Sequence, residues 1–427
     1  MMPTTKAPLF TEAQGLLLGR RGHTSARAMG FLTVGTSKDV GLVHYDGDGH
    51  LMTFGATGAS KTAGPAICNA LTHRGQLVSI ECKGDIHAAT AERRQRMGQQ
   101  VHVLDMRFDA AASDSLNPVD LAKRSGSEIS VLARSLAAAV VTRGPREDAF
   151  WVNWAETMVA GGLALKLETS PPEEHTFGTV FDLFNGIDVD YKIAVQLDMH
   201  KQLGRAASSA LGGYLQLPEK ETRPSVLAST QQHLRLWESD LVRRLTSSTS
   251  FDIDAFLEGA PMSIYIIVPP FRLKAYAPLL RLWLATLMSA LMTRRTPPPE
   301  RTLMLCDELG ALGAFEEFVT ASTLMRSSGL QLWSFWQNPA QLEVYGADAK
   351  TLVDNVGVLQ FLGARNRRVA TELAALVGGV DADTIMEMEP DECMALIEGA
   401  GLHRLRKVRY FEHPELRELA GLSAACR

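Results

Sequence analysis

Metal-binding spacings are missing from this sequence of 427 residues. Its 11 histidines form no His-Glu-x-x-His. Its five cysteines (Cys68, Cys82, Cys306, Cys393 and Cys426) form no Cys-x-x-Cys pair and no Cys/His cluster. Zinc hydrolases and zinc ribbons are thereby set aside. The cysteines lie mostly in apolar runs, which fits reduced, buried thiols in a cytosolic protein. No Gly-x-Ser-x-Gly elbow is present, so a serine hydrolase has no support. The opening MMPTTKAPLFTEAQG lacks the basic-then-apolar order of a signal peptide. The most apolar long run, APLLRLWLATLMSALM (277–292), has 16 residues and contains Arg281. A spanning helix needs roughly 20, so a buried helix is expected and no membrane anchor is visible. An excess of positive charge is also missing, since 43 Lys and Arg against 48 Asp and Glu leave −5. Any nucleic-acid contact must then be local, or shared around a ring of subunits.

What is present is an alternation. HLMTFG (50–55) reads as a strand, KTAGPAICNALTHR as a helix, QLVSIEC as a strand, AATAERRQRM as a helix and QQVHVLDM as a strand. This β-α-β-α-β order implies a parallel sheet covered by helices on both faces. From about 122 to 258 the β-branched runs fade and helical periods replace them, as in EISVLARSLAAAVV and WVNWAETMVAGGLALKL, with TSPPEEHT as a polar turn. Short apolar strands resume at 261–270, 302–309, 330–338 and 356–364, and a terminal pair, ECMALIEG and LHRLRKVRYFE, closes the series. The organisation expected is an extension over 1–49 leading into the first strands, a discontinuous α/β nucleotide-binding domain over 50–121 and 259–427, and an all-α insert over 122–258.

Between the first strand and the first helix lies GATGASKT (55–62), one residue from the phosphate-loop pattern G-x-x-x-x-G-K-[ST]. Gly55, Thr57, Gly58, Ala59, Ser60, Lys61 and Thr62 are the candidate nucleotide contacts. Lys61 would reach the β- and γ-phosphates, and Thr62 would hold Mg²⁺. Both open a helix, whose dipole and free N–H groups favour an anion. Pro65 fits the first turn, where its missing N–H has no acceptor to lose. Ser60 stands where the pattern has glycine, which matters only if the loop demands positive φ there or very close approach of phosphate. Further on, RTLMLCDELGALG delivers Asp307 and Glu308 from an apolar strand. Two carboxylates there are costly unless paired, hydrogen-bonded or near a metal. In a phosphate-loop ATPase the first serves the Mg²⁺ shell and the second polarises water. Gln337 ends LQLWSFWQ, where a polar residue of an adjacent strand can sense the γ-phosphate or orient water, although by itself it reads as a loop residue. Arg326 lies in a helical stretch, where an arginine by itself is ordinarily a solvated face. The basic segments ARNRR (364–368), LVRRL (241–245) and HRLRKVRYF (403–411) read either as solvated faces or as contacts to a phosphate backbone.

Taken in order, these motifs resemble the coupling ATPases of type IV secretion and bacterial conjugation, the TraG/TraD-like family. YDGDGHLMTFGATGASKT is similar to its phosphate-loop entry, and LVSIECKGDIHAATAERRQRMG to its D-x-K-G-E segment. VHVLDMRFDAAASDSLNPVDL is similar to its S-x-x-x-N-P-[LV] signature, and YIIVPPFRLKAYAPLLRLWLATLM to its V-P-P unit. LMLCDELGALG is similar to its Walker B, GLQLWSFWQNPAQLEVYG (Gln337, Gln341) to its Q-x-x-x-Q-L, and LRKVRYFEHPEL to its closing strand. The likeness covers about residues 10–415. It implies an α/β, RecA-like P-loop NTPase fold with a mainly parallel central sheet interrupted by the all-α domain.

By function, the resemblance implies a motor using ATP and Mg²⁺ that drives DNA–relaxase or protein substrates toward a secretion channel. It makes Glu308 the catalytic base, Gln337 the γ-phosphate sensor, Asp307 and Thr62 the Mg²⁺ ligands, and Arg326 an arginine finger acting across a subunit boundary in a hexamer. The implied partners are single- or double-stranded DNA through its backbone, relaxases or other transfer substrates on the all-α domain, and secretion-channel components. The family's N-terminal membrane-spanning pair is not found, which leaves a transmembrane partner, a soluble variant or a truncation; the location expected is cytoplasmic, with recruitment to the inner face of the membrane by a membrane-protein partner as one route. Two alternatives stand beside the motor: a DNA translocase of segregation or repair type, and a nucleotide-dependent docking platform with little turnover. Departures from the pattern are Ser60, Glu81 in place of Asp, and a short segment between AALVGG and EPDEC.

Overall fold

The continuous apolar runs form the middle of one sheet. The computed structural model describes residues 10, 15–22, 41–107, 113–142 and 147–422; the other parts of the 1–49 extension, and Cys426, lie outside these residues. The strands are β1 (Leu16–Arg21), β2 (Leu42–Tyr45), β3 (His50–Phe54), β4 (Leu77–Glu81), β5 (Gln100–Asp105), β6 (Met262–Ile267), β7 (Thr302–Cys306), β8 (Leu330–Trp336), β9 (Val356–Phe361), β10 (Glu392–Ile397) and β11 (Gly401–Arg406). They are ordered β2-β1-β11-β10-β9-β3-β8-β7-β4-β6-β5. Every residue of β3, β4, β6, β7 and β8 is buried, as expected of strands covered on both faces.

From β9 through β3, β8, β7 and β4 to β6 the neighbours are parallel. Beyond β9 the sheet continues antiparallel through β10, β11, β1 and β2. The terminal hairpin and the first two strands thus extend the parallel sheet by four antiparallel strands. The register of the parallel part decides the site. Phe54 lies beside Trp336, Cys306 beside Ser334, and Ile80 beside Cys306. Consequently the residues that follow β3, β4, β7 and β8 leave the sheet at one edge, the C-terminal edge where open α/β sheets bind ligands.

Several polar groups inside this layer pair with one another. Trp333 Nε1 donates to Thr53 Oγ1 at 2.8 Å, Thr53 donates to Gln360 Oε1 at 3.0 Å, and Gln360 Nε2 donates to the Leu18 carbonyl at 2.8 Å. This chain links β8, β3, β9 and β1 directly beneath the phosphate loop. After β3 come α1 (Ile67–Thr72) and, after β4, α2 (Asp85–Arg96). Arg94 on α2 is fully buried without a carboxylate. Its guanidinium donates to Gln99 Oε1 at 2.6 Å, to Ser263 Oγ at 2.9 Å, and to the carbonyls of His73 and Gly75. Burial lowers its pKa to about 10.

The chain forms two compact units. One comprises Met1–His102, Glu258–Ile267 and Thr296–Arg427; the other comprises Val103–Leu257 and Val268–Arg295. The second is helical, containing α3 (Ile129–Val140), α4 (Ala149–Thr169), α5 (Phe177–Phe184), α6 (Arg205–Leu215), α7 (Thr222–Leu234) and α8 (Leu273–Met292). Asp148 caps α4 by accepting from Phe150 N at 2.9 Å, and Thr176 caps α5 by accepting from Thr179 N. Along α4 the pair Gly161–Gly162 lets neighbours in close. A Cβ on Gly161 would come within 2.6 Å of Ala210 on α6, and one on Gly162 within 2.7 Å of Phe184 on α5. The apolar run read as a helix from 277 begins four residues earlier, at Leu273. With Pro270–Arg272 before it, this is the one described helix long and apolar enough to cross a membrane, and 78% of its apolar window is buried in the protein. Trp283 Nε1 donates to the Leu116 carbonyl at 2.8 Å, and Arg281 donates to Thr142.

Replacing Arg94 with Ala removes a buried donor set and leaves several carbonyls unsatisfied. The expected loss is about 3 kcal/mol of unfolding free energy, read from the shift of the urea midpoint at constant m.

Candidate functional site

The phosphate loop begins where β3 ends. Gly55 N donates to the Trp336 carbonyl at 2.9 Å, anchoring the loop to β8. Gly58 has φ +81° and Ser60 φ +72°. The loop therefore does demand a left-handed backbone at the position where the phosphate-loop pattern has glycine, and serine adopts it. Lys61 is buried, with Nζ donating to the carbonyls of Gly55 at 2.5 Å and Ala56 at 3.5 Å. Burial lowers its pKa, opposed by the charges of Asp307 and Glu308. The first helical turn, Thr62–Ala66, is wound as a π-helix containing Pro65 before α1 continues in α geometry. That turn is wider than the α-helical one expected, and such turns gather at functional sites.

β7 delivers the carboxylates to the same place. Thr62 Oγ1 donates to Asp307 Oδ2 at 3.1 Å across 245 residues of sequence. The Asp307 carboxyl is raised above the usual carboxylate range, first by burial and then by Glu308. Glu308 is itself left-handed, at φ +57°, with its N–H donating to Asp307 Oδ1 at 3.1 Å. Gln337 Nε2 donates to Glu308 Oε2 at 3.0 Å, and Gln337 N donates to Gln341 Oε1 at 2.6 Å. Lys61, Thr62, Asp307, Glu308 and Gln337 thus meet at one edge of the sheet. A Mg²⁺-type cation needs only one or two protein oxygens, keeping waters and phosphate oxygens as its other ligands. The Thr62 hydroxyl and Asp307 carboxylate fit that need. Among the described residues no group of three or more His, Cys, Asp or Glu forms a cage of its own.

A cleft of about 290 Å³ lies over these groups, lined by the loop, Asp307, Glu308, and the β4–α2 turn with Glu81, Cys82, Lys83 and Asp85. Glu81 spends both carboxylate oxygens on the start of α2, accepting from Ile86 N and His87 N at 2.8 Å each. The extra methylene relative to Asp is thereby used to cap a helix. Burial is the foremost cause that pushes its pKa up to about 7, against the opposing pull of those two N–H donors.

The profile of the type IV secretory system conjugative DNA transfer family matches residues 10–382. This chain belongs to that family. It is 26% identical over 338 residues to protein VirD4 of Rhizobium radiobacter, covering 77% of this chain and 48% of that one. To protein VirD4 of Agrobacterium fabrum it is 24% identical over 407 residues, covering 87% and 60%. The chain therefore spans about half to three fifths of the length of these relatives. Among solved structures it is similar to the bacterial conjugative coupling protein TrwB in an unbound form, with TM-score 0.66, 17% identity and 84% of each chain covered. TrwB has also been solved in complex with ADP and Mg²⁺. At that identity the likeness establishes the α/β fold with its mostly parallel sheet.

In this conjugative-transfer family member Arg326 does not reach the cleft of its own chain. It precedes β8, whereas Gln337 follows it, so the length of a strand, roughly 20 Å, separates them. Arg326 donates to the Asn355 carbonyl at 2.5 Å and pairs with Glu398 at 3.8 Å. Most cations of the basic segments are also paired with carboxylates: Arg243 with Asp182 at 2.6 Å, Arg367 with Asp383 at 2.6 Å, Arg404 with Glu392 at 2.6 Å, and Arg406 with Asp391. Such ion pairs fit the solvated-face reading. Two arginines from the same segments turn to the phosphate loop, Arg409 while also paired with Glu412 at 2.7 Å, and sequence reasoning missed both. Exposed Arg365 donates to the Thr57 carbonyl, and Arg409 Nε donates to Ser60 Oγ at 3.0 Å. The only signal for them is that each follows shortly after a strand, β9 or β11. Of the described cysteines, Cys68, Cys306 and Cys393 are buried free thiols, and Cys82 is a half-buried one.

For Glu81 the folded pKa lies above the unfolded value near 4.5, so the folded chain holds the extra proton between pH 4.5 and about 7. Its contribution to stability is full below pH 4.5 and declines as pH rises through 7. The difference in unfolding free energy between wild type and Glu81→Gln should therefore slope downward across that window, and remain flat above pH 8, in urea titrations at a series of pH values.

Proposed function

We propose that this chain is the ATP-driven motor of a conjugative coupling protein. In this reading it binds ATP at the phosphate loop and moves a DNA–protein substrate toward a type IV secretion channel. The observation that carries the reading is the convergence of Lys61, Thr62, Asp307, Glu308 and Gln337 at one sheet edge. The loop N–H groups and Lys61 hold the phosphates, with Gly55, Thr57, Gly58, Ala59 and Ser60 as backbone contacts. Thr62 and Asp307 are the ligands for Mg²⁺, which neutralises charge developing on the phosphates. Glu308 accepts a proton from the attacking water, and Gln337, donating to its carboxylate, holds it in place and reports on the γ-phosphate. Family membership and the nucleotide-bound TrwB structure support this assignment.

Arg326 completes the site from a neighbouring subunit. Its location at the opposite end of β8 supports a finger that serves another subunit's nucleotide, which requires a ring, a hexamer in this reading. The helical unit receives relaxase-class or protein substrates, DNA is held by its phosphate backbone, and channel components and a membrane-protein partner place the motor at the inner face of the membrane. Strain at Ser60 favours a second reading, a nucleotide-dependent docking platform with little turnover.

Two measurements test these assignments, the first of which separates motor from platform. Glu308→Gln should bind a fluorescent ATP analogue as wild type does while its DNA-stimulated kcat falls by about 10²–10³. Wild-type turnover no higher than that of the variant would leave only the platform. Arg326→Ala and Lys61→Ala should each be inactive alone, with kcat down about a hundredfold or more. Mixed in equal amounts they should recover part of the activity, because one brings an intact loop and the other an intact finger. No recovery would remove the trans role of Arg326.

A further inference from the structure

The phosphate loop of this chain carries a side chain where its backbone calls for none. At φ +72° the Cβ of Ser60 crowds the neighbouring carbonyl. Such conformations persist only where the surroundings over-determine them. Here the surroundings are a segment 349 residues away in sequence. Arg409 Nε donates to Ser60 Oγ at 3.0 Å, and Arg409 Nη1 donates in turn to Glu412 Oε1 at 2.7 Å. The Arg409 side chain is only 17% exposed and its bond to Ser60 is partly buried, while the Glu412 end is open to water.

The backbone of the same segment braces the loop's π-helical turn. Tyr410 N donates to the Ala63 carbonyl at 3.1 Å, and Cys68 Sγ donates to the Val408 carbonyl at 3.6 Å. Gly64 faces that carbonyl, and a Cβ there would lie 3.1 Å from it. Loop and brace are therefore in contact through backbone on one side and through Ser60–Arg409 on the other.

We infer that Ser60 and Arg409 act as one unit, in which Arg409 is a positioning residue for the nucleotide. By holding the serine hydroxyl it keeps the loop N–H groups turned toward the phosphates, a task that glycine performs in the phosphate-loop pattern without help. The inference rests on the reading of the loop as an ATP site. It assigns Arg409 no contact with the nucleotide itself. The consequence is a dependence that disappears when the serine is removed: Ser60→Gly accepts the left-handed backbone without strain and offers no hydroxyl to hold.

The test is a double-mutant cycle on the full chain, read as Kd for a fluorescent ATP analogue with Mg²⁺ and as KM and kcat for ATP. Arg409→Ala alone should raise Kd and KM about tenfold with a smaller change in kcat, while the same substitution in the Ser60→Gly background should change Kd less than twofold. Arg409→Lys, which keeps the charge but loses the Glu412-fixed Nε donor, should behave like Arg409→Ala. It also separates loop positioning from simple loss of positive charge near the phosphates. Equal losses in both backgrounds, or full rescue by Arg409→Lys, would overturn the unit and leave the ATP site intact. A wild-type chain that binds no better than Lys61→Ala would instead remove the nucleotide reading, and this inference with it. Melting temperatures of the four proteins without nucleotide, agreeing within about 3 °C, show that the Kd changes are not unfolding.

Discussion

The site depends on one constraint, the in-register parallel alignment of β3, β8, β7 and β4. Parallel strands need crossover connections, and every connection returns the chain to the same starting edge. All four strands therefore end at the other edge, and the residues after them converge there whatever their separation in sequence. The bond from Thr62 to Asp307 is the direct expression of that alignment. A slip of one residue between β3 and β8 or between β8 and β7 would turn every side chain over to the other face. The buried polar chain from Trp333 through Thr53 and Gln360 to Leu18 resists such a slip, because it is satisfied in one register only.

Strain is concentrated where this alignment delivers the chemistry. The two left-handed non-glycine residues of the sheet-bearing unit among those described are Ser60 and Glu308, both at the cleft. Each is held by side chains from elsewhere in the fold, Ser60 by Arg409 and Glu308 by Gln337. Cation placement follows a related logic. Arg365 and Arg409 bring positive charge to the phosphate loop, held on the Thr57 carbonyl and the Ser60 hydroxyl, with Arg409 also paired to Glu412. The net charge of −5 is therefore compatible with a strongly anion-attracting loop.

The helical unit is built by different means. Its packing relies on close approach at Gly161–Gly162 and on a long helix, α8, whose apolarity comes from being inside. A helix hydrophobic nearly all round is either core or membrane-spanning by pattern alone, and burial by its neighbours makes this one core.

Elements whose signals are local are legible in the residues alone. The β-α alternation, the phosphate loop, the carboxylate pair at the end of an apolar strand and the glutamine after the next strand are all readable, because periodicity and motif spacing act over a few turns or strand lengths. How distant segments meet emerges with the folded chain. It joined β1 and β2 to the terminal hairpin as an antiparallel extension, since edge pairing depends on which strands are left unpartnered. It set Arg326 at the far end of β8, turned the Glu81 carboxylate onto α2, and brought Arg365 and Arg409 to the phosphate loop while their neighbours in the same basic runs paired with carboxylates. Nothing in a run such as RKVRYF distinguishes one arginine from the next. The distinction comes from the turn after β11, and with it from the contact that lets a serine stand where the phosphate loop asks for glycine.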